Sequence, residues 1–199
     1  MDLLRKYSDS VLMEAGIDEA GRGCLAGPVV AAAAVIDDNF SFPGLRDSKK
    51  MSDKLRRAAY DYIKNSGLCR YGVGIVSAFD IDRDGILPST MRAMALAVEE
   101  LQNVLKSTPD LLVIDGNYWK NEEVSIDFAC VVKGDDKYMH VAAAACIAKV
   151  VRDDIMMHAA LPGDPYSWKT NKGYGTAAHI KAIRNFGATV WHRKTFIPE

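Results

Sequence analysis

Three apolar stretches of this chain end in carboxylates, and that repetition limits how it can fold. The run Val11 to Ile17 leads into Asp18-Glu19. Leu111-Leu112-Val113-Ile114 leads into Asp115-Gly116-Asn117, and the alternating run Ile126 to Val132 leads into Lys133-Gly134-Asp135-Asp136. Short apolar runs bounded by turn residues read as strands. In open α/β sheets, sites form where the carboxyl ends of neighbouring parallel strands meet. If the first, fourth and fifth strands are parallel neighbours, Asp18, Glu19, Asp115 and Asp135 converge. Such a set repels itself and raises its own pKa values unless cations neutralise it, so it is expected to bind divalent metal. All-oxygen ligation favours Mg²⁺ or Mn²⁺ over zinc. A two-metal site stabilises both the attacking and the leaving oxygen of an in-line phosphoryl displacement. No single acid is specific. Asp115-Gly116 and Gly134-Asp135 are ordinary turn sequences, Asp136 makes the last ligand ambiguous by one residue, and Asp153 on the following helix can simply pair with Lys149 or Arg152.

The first of these acidic ends is the richest: Gly16-Ile17-Asp18-Glu19-Ala20-Gly21-Arg22-Gly23. Consecutive strand residues point to opposite faces. Asp18 and Glu19 are therefore expected to share a site only if the strand ends between them and Gly21 and Gly23 turn the chain. Backbone N–H groups bared in such a turn suit a phosphate beside a metal. The bland alternative is an acidic turn that caps a hairpin.

Val29 to Ile36 is apolar on both faces and predicts a central strand. Ser52 caps a predicted helix over 53–65. An edge strand follows over 71–76, with glycines at 72 and 74. Helices are predicted from Pro88 through Lys106, from Val141 to Ala160, and from Thr176 to Phe186, closed by Gly187. Strands alternating with helices imply an α/β fold with a partly parallel sheet.

A chain of 199 residues accommodates one such domain, here taken as 1–199, with about 162–199 forming a basic helical C-terminal subregion. No apolar run approaches the ~20 residues of a membrane span. The N-terminus lacks a signal-peptide core, and the four cysteines contain no C-x-x-C pair, so a cytoplasmic protein with reduced thiols is expected. Net charge is −1, but residues 166–198 hold no acid and six bases: Lys169, Lys172, Lys181, Arg184, Arg193 and Lys194. With Trp168, Tyr174, Phe186 and Trp191 interleaved, this end is expected to contact phosphates.

Asp18-Glu19-Ala20-Gly21-Arg22-Gly23 followed by Leu25-Ala26-Gly27-Pro28-Val29-Val30 resembles the opening signature of type 2 ribonuclease H (ribonuclease HII) of the bacterial kind. The resemblance extends from about Ala15 to Phe196. It implies a ribonuclease H-like five-stranded mixed sheet with helices on both faces and a small helical C-terminal part. Asp18, Glu19, Asp115 and Asp135 fall where the family places its metal-binding, catalytic acids, with Mg²⁺ or Mn²⁺ as cofactor. Gly21-Arg22-Gly23 matches the segment whose backbone reads the ribose 2′-hydroxyl. Asp47-Ser48-Lys49 matches a segment near the nucleic-acid backbone. Asn171-Lys172-Gly173-Tyr174-Gly175-Thr176, with His179, matches the region whose tyrosine senses the RNA–DNA junction. His192-Arg193-Lys194-Thr195-Phe196 is similar to the closing motif. Cys24 and Thr195 depart from the family's usual proline and serine.

The implied activity is hydrolysis of the RNA strand of RNA–DNA hybrids and incision 5′ of single ribonucleotides in duplex DNA, leaving 3′-hydroxyl and 5′-phosphate ends. The implied partners are these nucleic acids, with a monomeric enzyme and no sliding-clamp peptide after Phe196. Two alternatives stand beside it: a ribonuclease H that acts on long RNA tracts, and a non-catalytic hybrid binder. A pure binder has no need of repelling carboxylates under a phosphate.

Overall fold

The four-alanine run is a strand. Glu14–Ala20 (β1) pairs antiparallel with Val29–Ile36 (β2), Ile17 opposite Ala33 and Ala20 opposite Val30. The structure, a computed structural model, describes residues 3–120 and 124–198. Cys69–Val76 (β3) adds antiparallel along β2. Leu111–Asp115 (β4) and Asp127–Val131 (β5) add parallel on the other side of β1, giving the order β3-β2-β1-β4-β5. The first, fourth and fifth strands are thus parallel neighbours.

Both faces of this sheet are covered. Asp53–Asn65 (α1) and Met139–Ala159 (α4) lie on one face, where Ala32 and Ala34 of β2 point. Ala78–Asp84 (α2) precedes Ile86–Leu105 (α3), which covers the other face, where Ala31 and Ala33 point. A strand buried on both faces carries no polar alternation, which is why β2 is apolar throughout. The glycines permit close approach: a Cβ at Gly74 would collide with the Ala93 carbonyl of α3, and one at Gly16 with the His140 backbone of α4. α4 is buried nearly all round from Val141 to Ala148. Trp168–Asn171 (α5) and Ala177–Phe186 (α6) pack a smaller core, in which Tyr166, Trp168, Ala182 and Ile183 meet Met156 of α4 and Leu25-Ala26.

Two elements differ from the sequence expectation. β1 begins at Glu14 and continues through Ala20, so both Asp18 and Glu19 lie within the strand. The start is set by Glu14, whose carboxylate accepts the Tyr7 and Ser8 N–H groups and folds residues 7–13 into a turn. α2 was not anticipated. It is a short helix with Ser77 as its N-cap, the hydroxyl accepting the Asp80 N–H at 3.1 Å, and Gly85 (φ 86°) separates it from α3.

Candidate active site

The sheet register brings the acids together. Ile17 of β1 stands beside Ile114 of β4, so the next residues, Asp18 and Asp115, leave neighbouring parallel strands. Asp135 lies in the 3-10 turn Gly134–Asp136 that follows β5. That turn is tied to β4, because the Gly134 N–H donates to Asp115 Oδ1 at 2.7 Å. Glu19 has the opposite parity along β1 but joins the set at the strand's end. Its own N–H donates to Asp18 Oδ1 at 2.6 Å, so the Asp18 side chain lies along the strand instead of perpendicular to it. The expectation that the strand must end between these two acids is therefore corrected. The side chain bends where the backbone does not.

The electrostatics report the same proximity. Burial raises the Asp18 pKa well above the ordinary carboxylate value, and the charges of Glu19, Asp115 and Asp135 raise it further. Burial also raises Glu19, opposed by Arg22 (Nη1 to Oε1, 3.4 Å) and reinforced by Asp115. Asp135 is pushed up to about 6 by burial and then by Asp115 and Asp47. The two ambiguous acids are otherwise engaged: Asp136 pairs with Lys50, and Asp153 accepts Lys149 Nζ at 2.8 Å. Carboxylates that suppress one another's ionisation at one sheet edge are the donor chemistry of a hard divalent cation. Among the described residues, no three of these side chains stand as a closed ligand set.

Two loops rim the acids, and they are zipped to each other. Cys24 bridges to Tyr174, and the Leu25 and Ala26 N–H groups donate to the Gly173 carbonyl at 2.9 and 3.2 Å. Gly21 has φ 98°, and a Cβ there would strike the Arg152 side chain. Tyr174 is 39% exposed, its ring flanked by Lys149 Nζ at 5.2 Å and the Arg152 guanidinium at 5.6 Å. Its hydroxyl is not free, as it meets the Cys24 thiol. Lys49 is exposed and lowers the pKa of both Glu19 and Asp135, so the 47–50 turn borders the acids. Ser48 is buried, with its carbonyl accepting Arg56 Nε at 2.9 Å.

The expected basic contacts divide. Lys169, Lys181 and Lys194 are exposed. Lys172 turns its ammonium onto the Lys169 carbonyl. Arg193 is fully buried: Nε donates to the Gly27 carbonyl and Nη1 to the Arg22 carbonyl, both at 2.9 Å. Burial depresses its pKa to about 10. Its expected role as a phosphate contact is corrected, since a guanidinium enclosed beneath the loop presents nothing to a ligand. Trp168, expected beside nucleic acid, is likewise core.

A family model described as Ribonuclease HII matches residues 15–197. The chain belongs to the ribonuclease HII family. A ribonuclease HII of Parabacteroides distasonis is 44% identical over 199 residues, covering 99% of this chain and 97% of that protein. One from Chlamydia trachomatis is 43% identical and covers 92% of this chain and 82% of that one. Among solved structures, the ribonuclease HII in a PCNA complex from Archaeoglobus fulgidus has a TM-score of 0.75 at 26% identity, covering 94% of this chain and 96% of that one. A Bst ribonuclease HIII in complex with Mn²⁺ shares the fold, with a TM-score of 0.67 at 20% identity over 93% of this chain and 67% of that one. The protein is thus a ribonuclease H, an endonuclease for the RNA strand of RNA–DNA hybrids, on the five-stranded mixed sheet described above.

In this ribonuclease HII, three buried arginines that sequence reasoning did not single out as braces each hold the carbonyls of a rim loop. Arg56 holds Ser48 and Met51, Arg193 holds Arg22 and Gly27, and Arg152 holds Ala26 (3.0 Å), Pro28 (3.1 Å) and Lys172 (2.9 Å). Asp82 of α2 was also missed. It accepts the Lys194 and Thr195 N–H groups and the Thr195 hydroxyl, anchoring the closing motif. The sequence carried no distinct signal for these braces: even Arg152 stands among Lys149, Asp153 and Asp154 near the end of its helix.

Proposed function

We propose that this ribonuclease HII is a divalent-metal-dependent endonuclease that incises 5′ of a single ribonucleotide embedded in duplex DNA, leaving 3′-hydroxyl and 5′-phosphate ends. It also cleaves the RNA strand of longer hybrids. The observation that carries this reading is the zipping of the Tyr174 turn onto the Arg22–Pro28 loop beside the acid cluster. A reader of one sugar and a set of phosphodiester-cleaving carboxylates thereby share one edge of the sheet.

Asp18, Glu19, Asp115 and Asp135 would hold Mg²⁺ or Mn²⁺, which supplies charge stabilisation for the attacking and leaving oxygens. The chain's own residues do the rest. Gly21 and Gly23 allow the backbone of the loop to approach the 2′-hydroxyl, the group that separates RNA from DNA at one position. Tyr174 presents a ring face to the adjoining sugar. Arg22 and Lys49 stand beside the acids as cations for the scissile strand, while Ser48 and Lys172 shape the rim through their backbones. A non-catalytic hybrid binder fits less well. Acids held buried against their own repulsion cost stability and give a binder nothing.

The test is a labelled DNA duplex with one ribonucleotide, incubated with Mg²⁺, with Mn²⁺ and with chelator. One cut on the 5′ side of the ribonucleotide is expected with metal, and none in an all-DNA duplex. Undiminished cleavage in excess chelator would overturn the metal-dependent reading.

A further inference from the structure

We propose that Arg193 is a positioning residue for ribonucleotide selection: from beneath the loop it aims the Gly23 N–H at the ligand side. The inference rests on the reading above, in which the Gly21–Gly23 backbone meets the 2′-hydroxyl.

Arg193 Nη1 holds the Arg22 carbonyl at 2.9 Å, and Nε holds the Gly27 carbonyl at 2.9 Å. The Arg22 carbonyl and the Gly23 N–H belong to one peptide unit. No peptide bond in the described residues is cis. In a trans peptide the C=O and N–H point in opposite directions. A carbonyl drawn inward onto a buried guanidinium therefore sends its N–H outward. On that outward side Gly23 is exposed, and a Cβ there would meet nothing within 4 Å. The donor thus belongs to the exposed side of the loop, next to Arg22, whose Nη1 reaches Glu19 Oε1 at 3.4 Å.

The guanidinium is itself held in place. The neighbouring backbone is fixed by Asp82, which accepts the Lys194 N–H at 2.8 Å and the Thr195 N–H at 3.0 Å. The Arg193 N–H donates to the Leu25 carbonyl at 2.8 Å, pinning the motif to the far end of the same loop. Phe196 covers the guanidinium at 5.3 Å. Arg193 Nη2 is buried with no hydrogen-bond partner among the described residues. An orphaned donor costs stability. The Arg193 guanidinium bears that cost while its other two nitrogens hold the loop carbonyls.

The experiment compares the wild-type protein with Arg193→Lys, which keeps the charge and reaches one carbonyl but lacks the fork. Affinity is measured in chelator for a duplex with one ribonucleotide and for the same all-DNA duplex, across a salt series. The wild type is expected to prefer the ribonucleotide. Arg193→Lys is expected to lose about tenfold of that preference, the equivalent of one hydrogen bond, with all-DNA affinity and salt slope unchanged. Equal weakening for both duplexes with a flatter salt slope would identify a phosphate contact instead and overturn the proposal, as would an unchanged preference. If Arg193→Lys does not fold, Asp82→Asn decides, since it loosens the anchor without touching the guanidinium. Reduced preference supports the proposal and full preference overturns it. A wild-type protein with no preference refutes the underlying reading of the site, a result distinct from either.

Discussion

His179 Nε2 stands 3.1 Å from both Trp168 Nε1 and His192 Nε2, and those two contacts fix the protonation of both imidazoles. An indole N–H only donates, so His179 Nε2 is an acceptor and its proton is on Nδ1. That proton points at the Tyr174 carbonyl, 2.9 Å away. His192 must then carry its proton on Nε2, leaving Nδ1 to accept the Thr189 N–H at 2.9 Å. A second proton on either ring would face a donor. Consistent with this, burial and then His179 push the His192 pKa down to about 4.

A histidine whose folded pKa is depressed contributes stability that is fully present above its unfolded value of about 6.5 and is lost as pH falls through 4. The shift corresponds to about 3 kcal/mol. Denaturant unfolding at pH 7 and pH 4.5 should show a larger stability loss for the wild type than for His192→Gln, whose amide still donates to His179. Equal losses would mean that His192 is not held neutral by this network.

The acid cluster makes the opposite prediction at the other end of the pH range. Asp135 has a folded pKa raised to about 6 against 3.8 unfolded. Its ionisation therefore costs stability that is intact below 3.8 and lost as pH rises through 6. Asp135→Asn should raise the melting temperature in chelator at pH 8, by up to about 3 kcal/mol of stability, while abolishing turnover with Mg²⁺. The gain should vanish near pH 4. A variant no more stable than wild type at pH 8 would show that the carboxylates do not strain the fold.

Asp115→Asn separates charge from shape. The amide oxygen can still accept the Gly134 N–H that Asp115 Oδ1 accepts at 2.7 Å. The fold should survive, read as an unchanged far-UV spectrum and cooperative melting, while incision falls at least 100-fold, the scale of one lost electrostatic contact in a transition state. Substantial incision would remove Asp115 from the metal-binding set.

Exposed bases at the C-terminal end should act on affinity alone. Lys169 and Lys181 both face solvent. Replacing both with Gln should reduce the slope of log affinity against log salt by about 1.8 on duplex DNA if each neutralises one phosphate. Binding would weaken for every duplex alike, since phosphate contacts carry no sequence information. An unchanged slope would mark these lysines as a solvated face.

Much of this was legible in the chain because local patterns and the global fold agree. The Val29–Ile36 strand, the Ser52 cap, and Asp115 and Asp135 at the ends of their apolar runs are signals of one or a few adjacent residues, and each appears where the sequence placed it. The braces were not legible. Arg193 looks like a surface base among other bases, and only the folded loop shows its carbonyl partners, 166 and 171 residues away in sequence. The same holds for Asp82, a charge in an unremarkable segment that caps a backbone 112 residues later. The parity rule for Asp18 and Glu19 failed for a physical reason. Asp18 is still paired with Ala32 of β2, but it stands one residue past the last β1–β4 pair, Ile17 with Ile114, and its carboxylate folds along the strand onto the Glu19 N–H.

Tyr174 offers the sharpest test of selection. Its carbonyl is held by His179, its neighbour Gly173 by the Leu25 and Ala26 N–H groups, and its hydroxyl by Cys24. The residue is nonetheless 39% exposed, and its ring is flanked by two cations that favour its face. A side chain so constrained and still open is poised to meet a sugar without ordering cost. Tyr174→Ala removes the ring but leaves the backbone zipper, so the melting temperature should fall only slightly. Incision at a lone ribonucleotide should fall by about 10- to 100-fold, the range of 1–3 kcal/mol for aromatic stacking on nucleic acid, and cleavage of a long RNA–DNA hybrid should fall less. Tyr174→Phe, which gives up only the Cys24 contact, should retain most of the incision. If the alanine variant cuts both substrates at wild-type rates with an intact melt, the ring is not the sensor and selection must lie in the Gly21–Gly23 backbone alone.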